Sequence, residues 1–147
     1  MITFDSNVLI YAMDADDHRR SGIAGSLLLR AGLVDSFITQ QAIGEFCNVV
    51  FRKRLLSAAK IRTEVDLWAA IYHFIPTSPQ QLLAAVDLAE RRQKQFWDMV
   101  IVRVAADAGA TVLFTEDIGD GEVIEGVRIV NPFAPGNLTE VAAILAG

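Results

Sequence analysis

Two short apolar runs, Ile2-Thr3-Phe4 and the stretch 35–39 around Phe37 and Ile38, flank a segment with helical periodicity, and this arrangement restricts the fold more than any other feature. Between them Asp14-Ala15-Asp16-Asp17 offers helix-start residues, Ile23, Leu27, Leu28 and Ala31 recur on one face, and Gly32 supplies a stop. Strand, helix and strand in that order form a βαβ unit, because parallel strands need a crossover of a dozen or more residues. The expected class is α/β, built on a mostly parallel sheet.

Composition agrees. With 52% apolar residues and a mean hydropathy of +0.35, the chain suits strands hidden on both faces by helices. No repeat, low-complexity tract or linker divides it, so a single domain over residues 1–147 is expected. Cys47 is the only cysteine, which excludes an intramolecular disulfide and a cysteine-held zinc. Asp5 interrupts the opening apolar run with no basic segment before it, and no apolar stretch reaches membrane-spanning length. A cytoplasmic location is the expectation. The net charge of −5 argues against a broad basic surface for duplex DNA. It is what unpaired metal-binding carboxylates would produce, and it would suit a basic protein partner.

Further along, a helix is expected over residues 40–54, with Ile43, Phe46, Cys47 and Val50 as its core stripe and Glu45 on the opposite face with Gln41, Asn48 and Arg52. A second helix, 58–74, carries Val65, Trp68, Ala69 and Tyr72. His73 reads as a partly buried structural residue, and His18, Arg19 and Arg20 as a solvated helix surface. Pro79 opens a helix to about Arg92. The basic stretch Arg91, Arg92 and Lys94 is either a solvated face or a phosphate contact to RNA. Residues 97–108 are apolar almost all round, the mark of a buried helix. Strands follow at 111–114 and 127–130, and a terminal helix at 138–145.

Carboxylates recur where strands end. Asp5 follows the first strand; the alternative reading of it is the N-cap of a helix starting near Val8. Glu45 lies early in the helix after strand two, and Asp98 stands in the first turn of the apolar helix, a costly place for a charge without a partner. Asp117 follows the strand 111–114 in the loop Thr115-Glu116-Asp117-Ile118-Gly119-Asp120-Gly121, with Glu116 and Asp120 in reserve. In open α/β sheets the carboxyl edge is where ligands bind. Four ionised carboxylates sharing a crevice there require a compensating cation. All-oxygen ligands without His or Cys select Mg²⁺ or Mn²⁺, and the matching chemistry is phosphodiester hydrolysis.

Asp5-Ser6-Asn7 after a first strand, Glu45 early in a helix, Trp97-Asp98 opening an apolar helix and Leu113-Phe114-Thr115-Glu116-Asp117 near the end resemble the PIN-domain nucleases, and among them the compact VapC-type toxins. The resemblance covers nearly the whole chain. It implies a three-layer α/β/α fold whose central sheet has four to five strands, a Mg²⁺ or Mn²⁺ site and endonucleolytic cleavage of RNA. Asp5, Glu45, Asp98 and Asp117 would form the acidic, metal-holding site. Ser6 or Thr115 would add a hydroxyl near the metal, and Asn7 would hold the loop by side-chain hydrogen bonds. Ser6 stands where the family often has Thr. Dimerisation and a VapB-type antitoxin that occludes the site are also implied.

Two other classes compete. A haloacid-dehalogenase-like phosphatase would use Asp5 as nucleophile, but it places a second Asp two residues on, where this chain has Asn7. A non-catalytic PIN-like module would bind nucleic acid or a protein without cutting. A dinucleotide enzyme is disfavoured because no G-x-G-x-x-G follows a strand.

Overall fold

The computed structural model describes all 147 residues. Strand β1 (Ile2–Phe4) leads into helices α1 (Ser6–Ala12) and α2 (His18–Ala31), then β2 (Ser36–Thr39), α3 (Gln40–Arg52), α4 (Ala58–Ile71), β3 (His73–Ile75), α5 (Pro79–Arg92) and α6 (Phe96–Asp107). The chain ends with β4 (Val112–Phe114), β5 (Val123–Ile124), β6 (Val127–Val130), a 3₁₀ turn (Pro135–Asn137) and α7 (Leu138–Ile144). Local chemistry accounts for the boundaries. Asp17 caps α2 through the Arg20 N–H, Thr39 caps α3 through the Ala42 N–H, and Ser78 forms a capping box with Gln81 ahead of Pro79.

The sheet order is β3-β2-β1-β4-β6-β5, parallel throughout except for the β5–β6 pair. The chain steps outward from β1 to β2 and β3, then returns to lay β4 on the other side of β1. Because such crossovers are right-handed, the reversal puts helices on both faces. Every residue of β1 and β4 is buried. The α/β class and the mostly parallel central sheet between helices expected from the sequence are what the structure has.

Six strands replace the four to five expected. The helix expected to reach residue 74 ends at Ile71: Tyr72 turns extended and the next three residues pair with β2, Phe37 opposite His73. His73 is therefore exposed on an edge strand, not partly buried. Strand β5 is only two residues long and exists through its hairpin with β6. Glu125 and Gly126 both take positive φ, 52° and 82°, as a two-residue turn of this hand requires. Helix α3 stops at Arg52, short of residue 54, because Arg54 itself adopts φ 53° and the Leu55 N–H folds back onto the Val50 carbonyl.

The core is one cluster running through both faces of the sheet, including Phe4, Phe46, Met99, Ile101, Leu113 and Phe114. Trp68 packs edge-on against Phe46 with centroids 4.7 Å apart, and Tyr72 against Phe4 at 5.4 Å. Helix α6 is buried on almost every side, as its composition dictates. Cys47 and Ile43 are only partly buried at the rim of α3, and Ala69 is exposed on α4, so these three lie outside the centre of the core.

Candidate active site

The site follows from one register. Phe4 pairs with Phe114, so Asp5 and Thr115 leave adjacent parallel strands side by side. The Asp5 N–H donates to the Phe114 carbonyl and the Thr115 N–H to that of Val130, each extending its ladder by one rung. The order in which strands are added reverses between β1 and β4, and the crevice at such a switch point is where open α/β sheets bind ligands.

Asp5 is 5% exposed. Its Oδ1 accepts from the Ser6 N–H at 2.6 Å, so it caps α1, and its Oδ2 accepts from the Thr115 hydroxyl at 2.9 Å. Asp5 thus starts a helix, at Ser6 and not near Val8, and lies near other acids. Burial pushes its pKa up to about 6; the Ser6 and Thr115 hydrogen bonds oppose this, and the charges of Glu45 and Asp117 add to it.

Hydroxyl and amide groups tie Asp5, Glu45 and Asp117 into one network. Thr115 Oγ1 accepts from Asn7 Nδ2 at 3.1 Å and from the Asp117 N–H at 3.2 Å. Asn7 Nδ2 also donates to Asp117 Oδ2 at 3.0 Å, and the Ser6 hydroxyl to Glu45 Oε2 at 2.8 Å. Asp98, half-buried at the start of α6, has its pKa raised by burial and then by the charges of Asp117 and Glu45, with Lys94 opposing. Asp5 and Asp98, from different segments of the chain, thus each lie within reach of the charges of Glu45 and Asp117.

This donor set fits a hard divalent cation. No three His, Cys, Asp or Glu side chains form a ready cage, but Mg²⁺ keeps several waters and takes only one or two carboxylates directly. The acids present oxygen alone, two of them are held above the usual carboxylate range by burial and like charge, and Asn7 Oδ1 is buried without a partner. Each of these features favours a bound cation over mutual repulsion.

The sequence model of the PIN domain matches residues 2–119. The chain belongs to the PIN-domain family. No curated protein matches it in sequence. Among solved structures it resembles VapC20 of Mycobacterium tuberculosis, described as a sarcin-ricin loop cleaving toxin, with a TM-score of 0.66 and 19% identity over 80% of this chain and 92% of that one. It also resembles FitAB bound to an IR36 DNA fragment (TM-score 0.58, 19% identity, 90% and 96% covered) and PAE2754 of Pyrobaculum aerophilum (TM-score 0.55, 18% identity, 97% and 96% covered). At these identities the likeness is one of fold.

Within this PIN domain, two acids held in reserve are committed elsewhere. Glu116 accepts from the Tyr11 hydroxyl at 2.7 Å and pairs with Arg20 at 3.5 Å. Asp120 accepts from the Asn131 N–H and from Asn137 Nδ2, which pins the loop to the start of the terminal helix. Arg20 stays at the surface, its side chain 39% exposed, but is engaged there: it lies over the Tyr11 ring at 5.0 Å and bridges Asp17 and Glu116. Arg19 donates to the Phe133 carbonyl. Of the basic stretch, Arg91 and Arg92 are exposed, while Lys94 pairs with Glu122 at 2.6 Å and lies close enough to Asp98 to offset its charge.

Sequence reasoning passed over Gln41 as a site residue. Its Nε2 donates both to Glu45 Oε1 at 3.0 Å and to the Trp97 carbonyl at 3.1 Å, joining α3 to the start of α6 beside the acids. Its position four residues before Glu45 on one helix face was the available signal.

Proposed function

We propose that this single PIN-like domain is a Mg²⁺- or Mn²⁺-dependent endoribonuclease and the toxin member of a VapBC-type toxin–antitoxin pair. The observation that supports the reading most is that Ser6, Asn7 and Thr115 link Asp5, Glu45 and Asp117 at the switch point of the sheet, with Asp98 near enough to Glu45 and Asp117 for their charges to raise its pKa. Family membership and the toxin among its structural relatives support it.

Asp5 and Asp98 would hold the cation, with Glu45 and Asp117 completing the pocket through water. Bound there, the cation supplies activation of water and charge stabilisation on the phosphate. The chain's own part is to fix that geometry. Thr115 and Ser6 aim the carboxylates of Asp5 and Glu45, and Asn7 keeps Asp117 turned inward. Glu45 and Asp117, off the central pair and hydrogen-bonded by neutral groups only, would orient the attacking water. Arg91 and Arg92 are exposed next to α6 and would meet RNA phosphates. The partners would be RNA, a VapB-type antitoxin and a second copy of the chain, in the cytoplasm; no helix is long and apolar enough to cross a membrane.

The test is cleavage of a mixed structured RNA by purified protein with Mg²⁺, with Mn²⁺ and with EDTA, beside Asp98→Asn. Products that need metal and vanish in the variant are expected. Well-folded protein, free of co-purified antitoxin, that cuts nothing would favour the non-catalytic binding module instead.

A further inference from the structure

Beside the acids, between the start of α3 and the start of α6, lies an open cavity of about 520 Å³ lined by Gln40, Gln41, Glu45, Thr77, Leu82 and Trp97. Its size is within the roughly 300–1,000 Å³ of small-ligand sites. Trp97 is 57% exposed, whereas the chain's other tryptophan, Trp68, is 5% exposed in the core. An indole left in water keeps a large apolar face uncovered. This one is not loose: Phe96 packs edge-on against it with centroids 5.0 Å apart, and the Gln41 amide holds the Trp97 carbonyl.

The cavity and the acid cluster share a wall. Glu45 lines the cavity and is hydrogen-bonded to Ser6 of the cluster, and the residue after Trp97 is Asp98. A polynucleotide with one phosphate at the acids therefore has a flanking base within reach of the indole. Leu82 offers an apolar floor, and Gln40 and Thr77 bring an amide and a hydroxyl to the same space. Stacking is open to any base, because each has a π-face, while amide and hydroxyl groups discriminate among base edges. A base inside a duplex has both faces covered, so the cavity selects unpaired nucleotides.

We propose that this cavity is a nucleobase subsite in which Trp97 stacks on the unpaired base next to the cleaved phosphodiester, with Gln40 and Thr77 setting base preference. The inference rests on the ribonuclease reading above. In the full chain carrying Asp98→Asn, so that RNA stays uncut, single-stranded oligoribonucleotides quench tryptophan emission and a blunt RNA duplex does not. Adding Trp97→Phe removes the response, since Trp68 is buried. Trp97→Ala weakens binding of the single strand about five- to hundredfold, and Trp97→Phe recovers part of that loss. In otherwise unmodified protein Trp97→Ala raises KM by more than it lowers kcat and flattens preference at the flanking nucleotide, which a merely structural role would not do. Should the parent protein cut RNA while Trp97→Ala keeps its affinity and preference, the subsite is wrong and the ribonuclease stands. A parent protein that neither binds nor cuts RNA overturns both.

Discussion

The Thr115 hydroxyl donates to Asp5 Oδ2 at 2.9 Å across 110 positions of sequence. With the same oxygen Thr115 accepts from Asn7 and from the Asp117 N–H, so one hydroxyl sets the relative position of two acids. Hydroxyl and amide groups do here what cations do at a surface ion pair, without neutralising the acids. Their charge remains available to a ligand.

Thr115→Val removes this donor and acceptor while keeping the shape. Leaving Asp5 Oδ2 and Asn7 Nδ2 short of a partner should cost about 1–3 kcal/mol of stability. It should also weaken Mg²⁺ or Mn²⁺ binding about 10- to 100-fold, as for other groups that orient a ligand. Thr115→Ser should restore both. Denaturant unfolding and calorimetric metal titration of the three proteins check this.

Asp98→Asn relieves a half-buried charge that faces Asp117 and Glu45. Without metal the variant should melt higher than the parent. Added Mg²⁺ should stabilise it less than the parent. A variant that melts lower in EDTA would show that Asp98 has a stabilising partner instead.

The raised pKa of Asp5 gives a pH signature. The folded protein holds this proton up to about pH 6, whereas the unfolded chain releases it near the ordinary 3.8. More protons bound in the folded state mean that stability falls as pH rises. The contribution is complete below the lower value and is lost through pH 6. Melting of the metal-free parent minus that of Asp5→Asn, from pH 3.5 to 7.5, should therefore decline across this window. Mg²⁺ should reverse the decline above pH 6, because the proton and the cation compete for one carboxylate.

Glu116→Gln separates the Tyr11–Glu116–Arg20 contacts from the acid cluster. The side chain engages Tyr11 and Arg20 and none of the four acids, and burial together with Glu116 pushes the Tyr11 pKa up to about 12. The substitution should cost about 1–2 kcal/mol of stability and leave metal affinity unchanged. Cleavage falling as steeply as in Asp98→Asn would place Glu116 in the site.

Much of the architecture is legible in short-range pattern. Asp17 and Gly32 bracket α2, Pro79 and Arg92 bracket α5, and the unbroken apolar surface of α6 demands burial. These signals are local: a cap bonds within three residues, and a stripe repeats every turn. Strands β3 and β5 escape because each is two or three residues long and exists only through its neighbour, β2 for one and β6 for the other. Arg20 reads as an unpartnered surface cation because nothing within its own helix reveals its contacts with Tyr11 and Glu116.

The same divide runs through the candidate site. That Asp5, Glu45, Asp98 and Asp117 follow strands or begin helices at one edge of a parallel sheet is contained in the chain's order. Alternation of strand and helix forces strand ends to one edge whatever the side chains do. In the loop 115–121 the sequence ranks Asp117 ahead of Glu116 and Asp120 but does not show their partners, which differ in three dimensions. Asn7 and the Thr115 hydroxyl draw in Asp117, Tyr11 and Arg20 hold Glu116, and Asn131 and Asn137 hold Asp120. Sequence alone determined the α/β class and the edge at which the acids gather, because periodicity and connection length are properties of neighbouring residues. Only the tertiary structure decided which acids face one another, because a hydrogen bond across 110 positions depends on the register of β1 against β4.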